Sequence, residues 1–149
     1  MRAGASIAVG GVMLLWPAFY NGWPFVFTDT GAFMFAALER WPQWDKPIAY
    51  ALVLHVLSWR VTYWTAILVQ ALAVSQLCRL MLRSFARATP ALHLPLMLGV
   101  AALTAAPWFA SHLMPDVLAP ILVLAVVLLV LAGDRLTRGE RAWLAFLAG

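Results

Sequence analysis

The 149-residue chain is 64% hydrophobic and only 11% charged, with a mean hydropathy of +0.88. Soluble domains carry about a quarter charged residues, so this balance excludes a soluble enzyme, a disulfide-stapled secreted domain and a disordered tail. It fits several membrane spans of about 20 apolar residues each. The net charge of +4 does not point to nucleic acid, because the basic residues fall between apolar runs, where membrane topology accounts for them. Cys78 is the single cysteine and has no internal disulfide partner.

The first apolar run, residues 3–20, follows Arg2 and ends at Asn21-Gly22-Trp23-Pro24, whose glycine and proline break a helix. No small-x-small cleavage site follows, so it reads as an uncleaved signal-anchor. Residues 21–60 form a long loop that is apolar rather than polar. Within it, 31–41 and 48–59 read as two short helices lying in the membrane interface, joined by the proline-bounded turn 41–47. Further spans are expected at 61–82, 92–110 and 117–132, the last of about 16 residues, or about 24 Å of helix. A fifth apolar run starts at 143, and the sequence stops at 149. The expected fold is therefore all-α: a single integral membrane domain with four spans and a truncated fifth, read as incomplete.

Charge decides whether 48–59 crosses. If it does not, and the amino terminus is cytoplasmic, seven of the ten cations lie inside: Arg2, Arg79, Arg83, Arg87, Arg135, Arg138 and Arg141. Only Arg40, Lys46 and Arg60 then lie outside. If 48–59 crosses, only Arg2 and Arg60 are inside, against the positive-inside rule. Trp23, Trp41, Trp44, Trp59, Trp64 and Trp108 then fall at or near the outer interface, where amphipathic rings prefer to sit.

Chemistry is sought in the two outer segments. Asp29, in Thr28-Asp29-Thr30-Gly31, reads either as the N-cap of the first interfacial helix or as a functional carboxylate, since Thr30 could cap alone. In the second segment, His112 and Asp116 stand four residues apart and would share a face if helical, although Pro115 interrupts that helix. Asp116 also reads as an N-cap of the following span. A His and a carboxylate offer part of a metal site or an acid–base pair. Gln70 and Gln76 are expected to hydrogen-bond neighbouring helices, with Ala66 and Ala73 allowing close approach. His93 reads as an interfacial residue, and His55 lies on the second interfacial helix.

The run Tyr20-Asn-Gly-Trp-Pro-Phe-Val-Phe-Thr-Asp29-Thr-Gly31, with Lys46-Pro47-Ile-Ala-Tyr50 and Ser111-His-Leu-Met-Pro-Asp116, resembles the amino-terminal part of bacterial C-type (GT-C) multi-spanning glycosyltransferases. The resemblance implies sugar transfer from a polyprenyl-phosphate donor to an acceptor at the outer face of the bacterial cytoplasmic (inner) membrane. It implies that Asp29 is the catalytic base, since the acceptor hydroxyl loses a proton as it attacks the anomeric carbon. Asp116, with His112, matches a second acidic position linked to acceptor or metal binding. A divalent cation is therefore open as a cofactor, though nothing in the sequence requires one. Arg40, Lys46 and Arg60 are the candidates for the donor phosphate, whose charge grows as it leaves; interfacial snorkelling is their ordinary alternative. The implied partners are the bilayer, the lipid-linked sugar, and the remaining spans of a longer chain or a partner subunit. A small non-catalytic polytopic protein, such as a transporter subunit or assembly factor, is the alternative. No Asp, Glu, Lys or Arg lies deep in a span, which argues against an ion-coupled carrier.

Overall fold

A computed structural model describes residues 3–39, 48–58, 61–86 and 89–148. Among these residues all regular structure is helical. In chain order the helices are α1 (Ala3–Leu14), α2 (Trp16–Asn21), α3 (Thr30–Glu39), α4 (Ile48–Ser58), α5 (Trp64–Phe85), α6 (His93–Leu103), α7 (Ala106–Ser111), α8 (Leu118–Ala132) and α9 (Arg138–Ala148). Short 3-10 turns at Pro90–Leu92, Pro115–Val117 and Gly133–Arg135 lead into α6 and α8 and out of α8.

Two of the expected spans are interrupted, each by a proline. Pro17 sits in the first turn of α2, and its missing N–H and ring end α1 at Leu14. Gly22 then closes α2 in the left-handed conformation (φ 78°), its N–H bonding to the Phe19 carbonyl. Pro107 does the same at the start of α7. Between α6 and α7, the Thr104 hydroxyl donates to Val100 O (2.7 Å) and accepts from Ala106 N (3.2 Å), closing one helix and opening the next. Only Trp64–Phe85 and Pro115–Arg135 are long and apolar enough to cross a membrane among the described residues, and Ala3–Leu14 and Pro90–Leu103 are shorter apolar helices. The apolar run expected at 143 lies inside α9, a helix that begins earlier, at Arg138, and whose first turn carries Arg138, Glu140 and Arg141.

The bundle alternates in direction. Ser75 Oγ donates to Ile7 O (2.9 Å) while Gly11 abuts Leu72, so α1 and α5 run antiparallel. Trp16 Nε1 donates to Ala101 O (3.2 Å), which sets α6 parallel to α1. Arg135 donates to Ser84 O, which brings the end of α8 beside the end of α5. Helix α8 buries Ile121, Ala125, Leu128 and Ala132, one stripe at helical spacing. Its other faces leave Leu122, Val123, Val126, Val130 and Leu131 exposed.

Glycine makes the tightest packing in the bundle. A Cβ on Gly10 would stand 2.5 Å from Ser75 Oγ and 2.8 Å from Met97 Cγ, and one on Gly11 2.9 Å from Leu72 Cδ2. Ala66 and Ala73, where the sequence places close approach, are both buried, and this glycine pair adds a second close contact. His93 also departs from expectation. It is fully buried against α5, its ring N–H (Nε2) donating to Ser75 O at 3.0 Å, rather than standing at a rim.

Candidate functional site

At the end of the bundle where α2, α7 and the start of α8 meet, the main chain is irregular on two stretches, 22–29 and 112–117. They satisfy each other. Helix α7 ends at Ser111, and His112 is extended (φ −88°, ψ 142°). Phe25 N donates to Ser111 O and Leu113 N donates to Phe25 O, both at 2.9 Å, forming a single parallel bridge between Phe25 and His112. The rings of Phe25 and His112 stack above it, 5.2 Å apart at 25°.

Thr30 locks this seam. Fully buried, its hydroxyl accepts from Phe27 N (2.8 Å) and donates to Leu113 O (3.1 Å). Its side chain is therefore committed to the seam and does not cap α3. The Asp29 carbonyl instead receives Ala32 N (3.1 Å) and Phe33 N (3.4 Å), which puts Asp29 at the N-cap position of that helix.

His112 and Asp116 are not on one helical face, because His112 is extended and Asp116 lies in the 3-10 turn that follows. No side-chain cap hydrogen bond forms at the start of that turn or of α8, so the N-cap expected of Asp116 is absent. The two residues nevertheless line the same cavity, of about 240 Å³, with Phe27, Trp108, Phe109 and Met114. His112 Nδ1 is 2.6 Å from Trp108 O. A carbonyl only accepts, so Nδ1 carries the proton and Nε2 is the basic nitrogen of the neutral ring. A larger cavity of about 460 Å³ shares Phe109 and Asp116 with the first and runs between α5, α6 and α8, lined by Val74, Cys78, Val100, Pro120, Ile121 and Leu124 among others. Asp116 thus stands where an aromatic chamber meets an aliphatic one. Asp29 is half-buried and lines neither, one residue from the Thr30 lock.

A buried polar chain supports the seam from behind. Tyr50 Oη donates to Gln70 Oε1 (3.0 Å), and Gln70 Nε2 donates to His112 O (3.1 Å). Burial first, and the Asp116 carboxylate second, hold the Tyr50 phenol well above its ordinary range, so it stays a neutral donor. The expected hydrogen bonding of Gln70 is met. Tyr50 and Thr30 are the site residues that sequence reasoning did not single out, and for Tyr50 a signal existed. A phenol on an apolar helix needs a buried partner, and Gln70 is one of the polar residues that α5 offers. His55 Nδ1 bonds Ala37 O at 2.7 Å and ties α4 to α3.

Arg40, Lys46 and Arg60 lie outside the described residues, as do Trp41, Trp44 and Trp59. Among the described residues no three His, Cys, Asp or Glu side chains converge as a metal site. His112 and Asp116 alone supply two ligand types, too few to hold a divalent cation without others. No protein-family model matches the chain, and neither a curated protein nor a solved structure matches it.

Proposed function

We propose that this chain is the amino-terminal module of a membrane glycosyltransferase that moves a sugar from a polyprenyl-phosphate donor to an acceptor at the outer face of a bacterial cytoplasmic membrane. The observation that carries the reading is the position of Asp116 at the junction of two cavities, one aromatic with an imidazole and one aliphatic. Such a junction suits an amphipathic substrate, its polar group in the first chamber and its chain in the second. The alternating directions of α1, α5, α6 and α8 support four crossings, with α1–α2 and α6–α7 as interrupted spans. Such breaks are tolerated at membrane depth where the protein itself satisfies the freed backbone groups. The described arginines gather at the end opposite the seam, on α5, α9 and the turn between α8 and α9. That supports a cytoplasmic amino terminus by the positive-inside rule. Helices α3 and α4 are then the two interfacial helices of the outer loop.

In this reading Asp29 takes the acceptor proton, and Asp116 with His112 Nε2 holds another part of the acceptor. Arg40, Lys46 and Arg60 meet the departing lipid phosphate. The test is transfer of labelled hexose or pentose from polyprenyl-phosphate donors by the purified protein in lipid nanodiscs. Asp29→Asn is expected to lower kcat about a hundredfold or more, and Asp116→Asn to raise KM for the acceptor. Unchanged turnover in Asp29→Asn removes it as the base. Absence of transfer by the wild type, with every donor tried, favours a non-catalytic membrane subunit.

A further inference from the structure

We propose that Arg79, Arg83, Thr89 and His93 form a binding site for a phosphoryl group at the arginine-bearing end of the bundle. With Leu82 and Pro90 they line a cleft of about 70 Å³, roughly the liquid volume of two waters. That space suits one tetrahedral oxyanion. The site lies at the opposite end of the bundle from the seam and is independent of the glycosyltransferase reading.

Two of the lining residues each carry a buried polar atom with no hydrogen-bond partner among the described residues: Nδ1 of His93 and Nε of Arg79. His93 is 0% exposed, and its Nε2–H is spent on Ser75 O. Its Nδ1 is therefore an acceptor in the neutral ring and a second donor in the imidazolium. A phosphoryl oxygen of either source completes the imidazolium, whereas the neutral ring is completed by the P–OH that free phosphate carries and a lipid phosphodiester lacks. Arg79 brings the charge. Arg83, by contrast, is engaged by both carboxylate oxygens of Glu140, each at 2.8 Å, and reaches Arg135 O at 3.4 Å. It builds the wall of the cleft, while the planar fork of Arg79 supplies donors matched to phosphate oxygens. Thr89, exposed at the rim, adds a hydroxyl donor.

A phosphoryl group reaches such a cleft either on an anionic lipid or as free phosphate. Basic pockets between membrane helices on the cytoplasmic side take lipid headgroups by this chemistry. The experiment titrates the protein with phosphatidylglycerol in phosphatidylcholine nanodiscs, and separately with inorganic phosphate in neutral detergent, reading bound species by native mass spectrometry. Saturable binding of the first identifies a lipid headgroup, and of the second a free anion; both support the site. Arg79→Gln is expected to weaken the binding about tenfold, one charge-assisted pair. Arg79→Lys should lose part of it, and Arg141→Gln on α9, outside the cleft, none. If Arg79→Gln does not fold, Arg79→Lys and the rim variant Thr89→Val carry the test. The proposal is overturned if neither probe binds saturably, if Arg141→Gln weakens binding as much as the Arg79 variant, or if Arg79→Lys and Thr89→Val both bind as wild type.

Discussion

Replacing Thr30 by valine keeps the side-chain shape and deletes the hydroxyl that joins the two irregular segments. The Leu113 carbonyl, within a fully buried contact, then loses its Thr30 donor, and Phe27 N–H loses a 2.8 Å acceptor at the partly buried edge of the seam. A buried group left unsatisfied costs about 1–3 kcal/mol and an ordinary hydrogen bond contributes about 0.5–1.5, so Thr30→Val should destabilise the seam by about 2–4 kcal/mol. The most direct readout is amide exchange at Leu113, whose N–H closes the bridge to Phe25 O. At about 1.4 kcal/mol per decade, exchange there should accelerate roughly thirtyfold or more. Thr30→Ser keeps the hydroxyl and should stay near wild type. Unchanged Leu113 exchange in Thr30→Val would show that the Thr30 hydroxyl does not hold the seam. A loss in Thr30→Ser as large as in Thr30→Val would show that packing of the threonine methyl matters as much as the hydroxyl.

At the α1–α5 contact, Gly10→Ala drives a Cβ to 2.5 Å from Ser75 Oγ, which is itself held by its bond to Ile7 O at 2.9 Å. Overpacking of this kind costs about 1–3 kcal/mol, whereas Gly4→Ala on the same helix meets nothing within 4 Å and should gain about 0.5–1 kcal/mol. Thermal unfolding in detergent should therefore move in opposite directions for the two variants, and parallel shifts would show that the contact is not tight. The Arg83 hydrogen bonds, followed by smaller contributions including those of Thr137, hold the Glu140 carboxyl down from 4.5 to about 2. The folded state thus binds this proton later than the unfolded chain, so the contribution is complete above about pH 4.5 and is lost as pH falls toward 2. With the Arg83 side chain 39% exposed, screening reduces it to about 1–2 kcal/mol. Glu140→Gln should lower stability by that amount at neutral pH and flatten its decline in acid; a decline as steep as wild type would place the acid sensitivity elsewhere.

Helix content was legible in the sequence because hydropathy and helix breakers are local signals. The turn at Gly22, the helices after Thr30 and Ile48, and the aliphatic α8 all fall where residue type dictates. The interruptions were only half legible. Pro17 and Pro107 are visible in the chain, but a proline inside an apolar run can either kink a helix or end it, and the tertiary contacts decide. Close approach was expected at Ala66 and Ala73, and nothing local says that Gly10 and Gly11 meet α5 through Leu72 and Ser75. The burial of His93 was illegible for the same reason, since its partner Ser75 is distant in sequence. In the site, His112 and Asp116 were found by residue type. Their shared cavity depends on an extended His112, which the i, i+4 spacing did not anticipate.

The candidate site is made where α2 and α7 end. Gly22 in the left-handed conformation closes α2 and an extended His112 closes α7, so the backbone groups beyond them have no helical partners. Once α2 stops at Asn21 and α7 at Ser111, the groups of Phe25, Ser111 and Leu113 have to find partners, and they find one another. In the proposed membrane placement that pairing is demanded, because irregular backbone is tolerated at such depth only where protein or a water-filled cavity satisfies it. Charged residues gather there for the related reason that a carboxylate is least costly where helices end. Asp29 follows one break and Asp116 the other, and the Phe25–His112 bridge fixes the distance between the stretches that carry them. Loosening that bridge through Thr30→Val should therefore impair the proposed sugar transfer even with both carboxylates intact. Transfer unaffected by an opened seam would separate the fold of this end of the bundle from its chemistry.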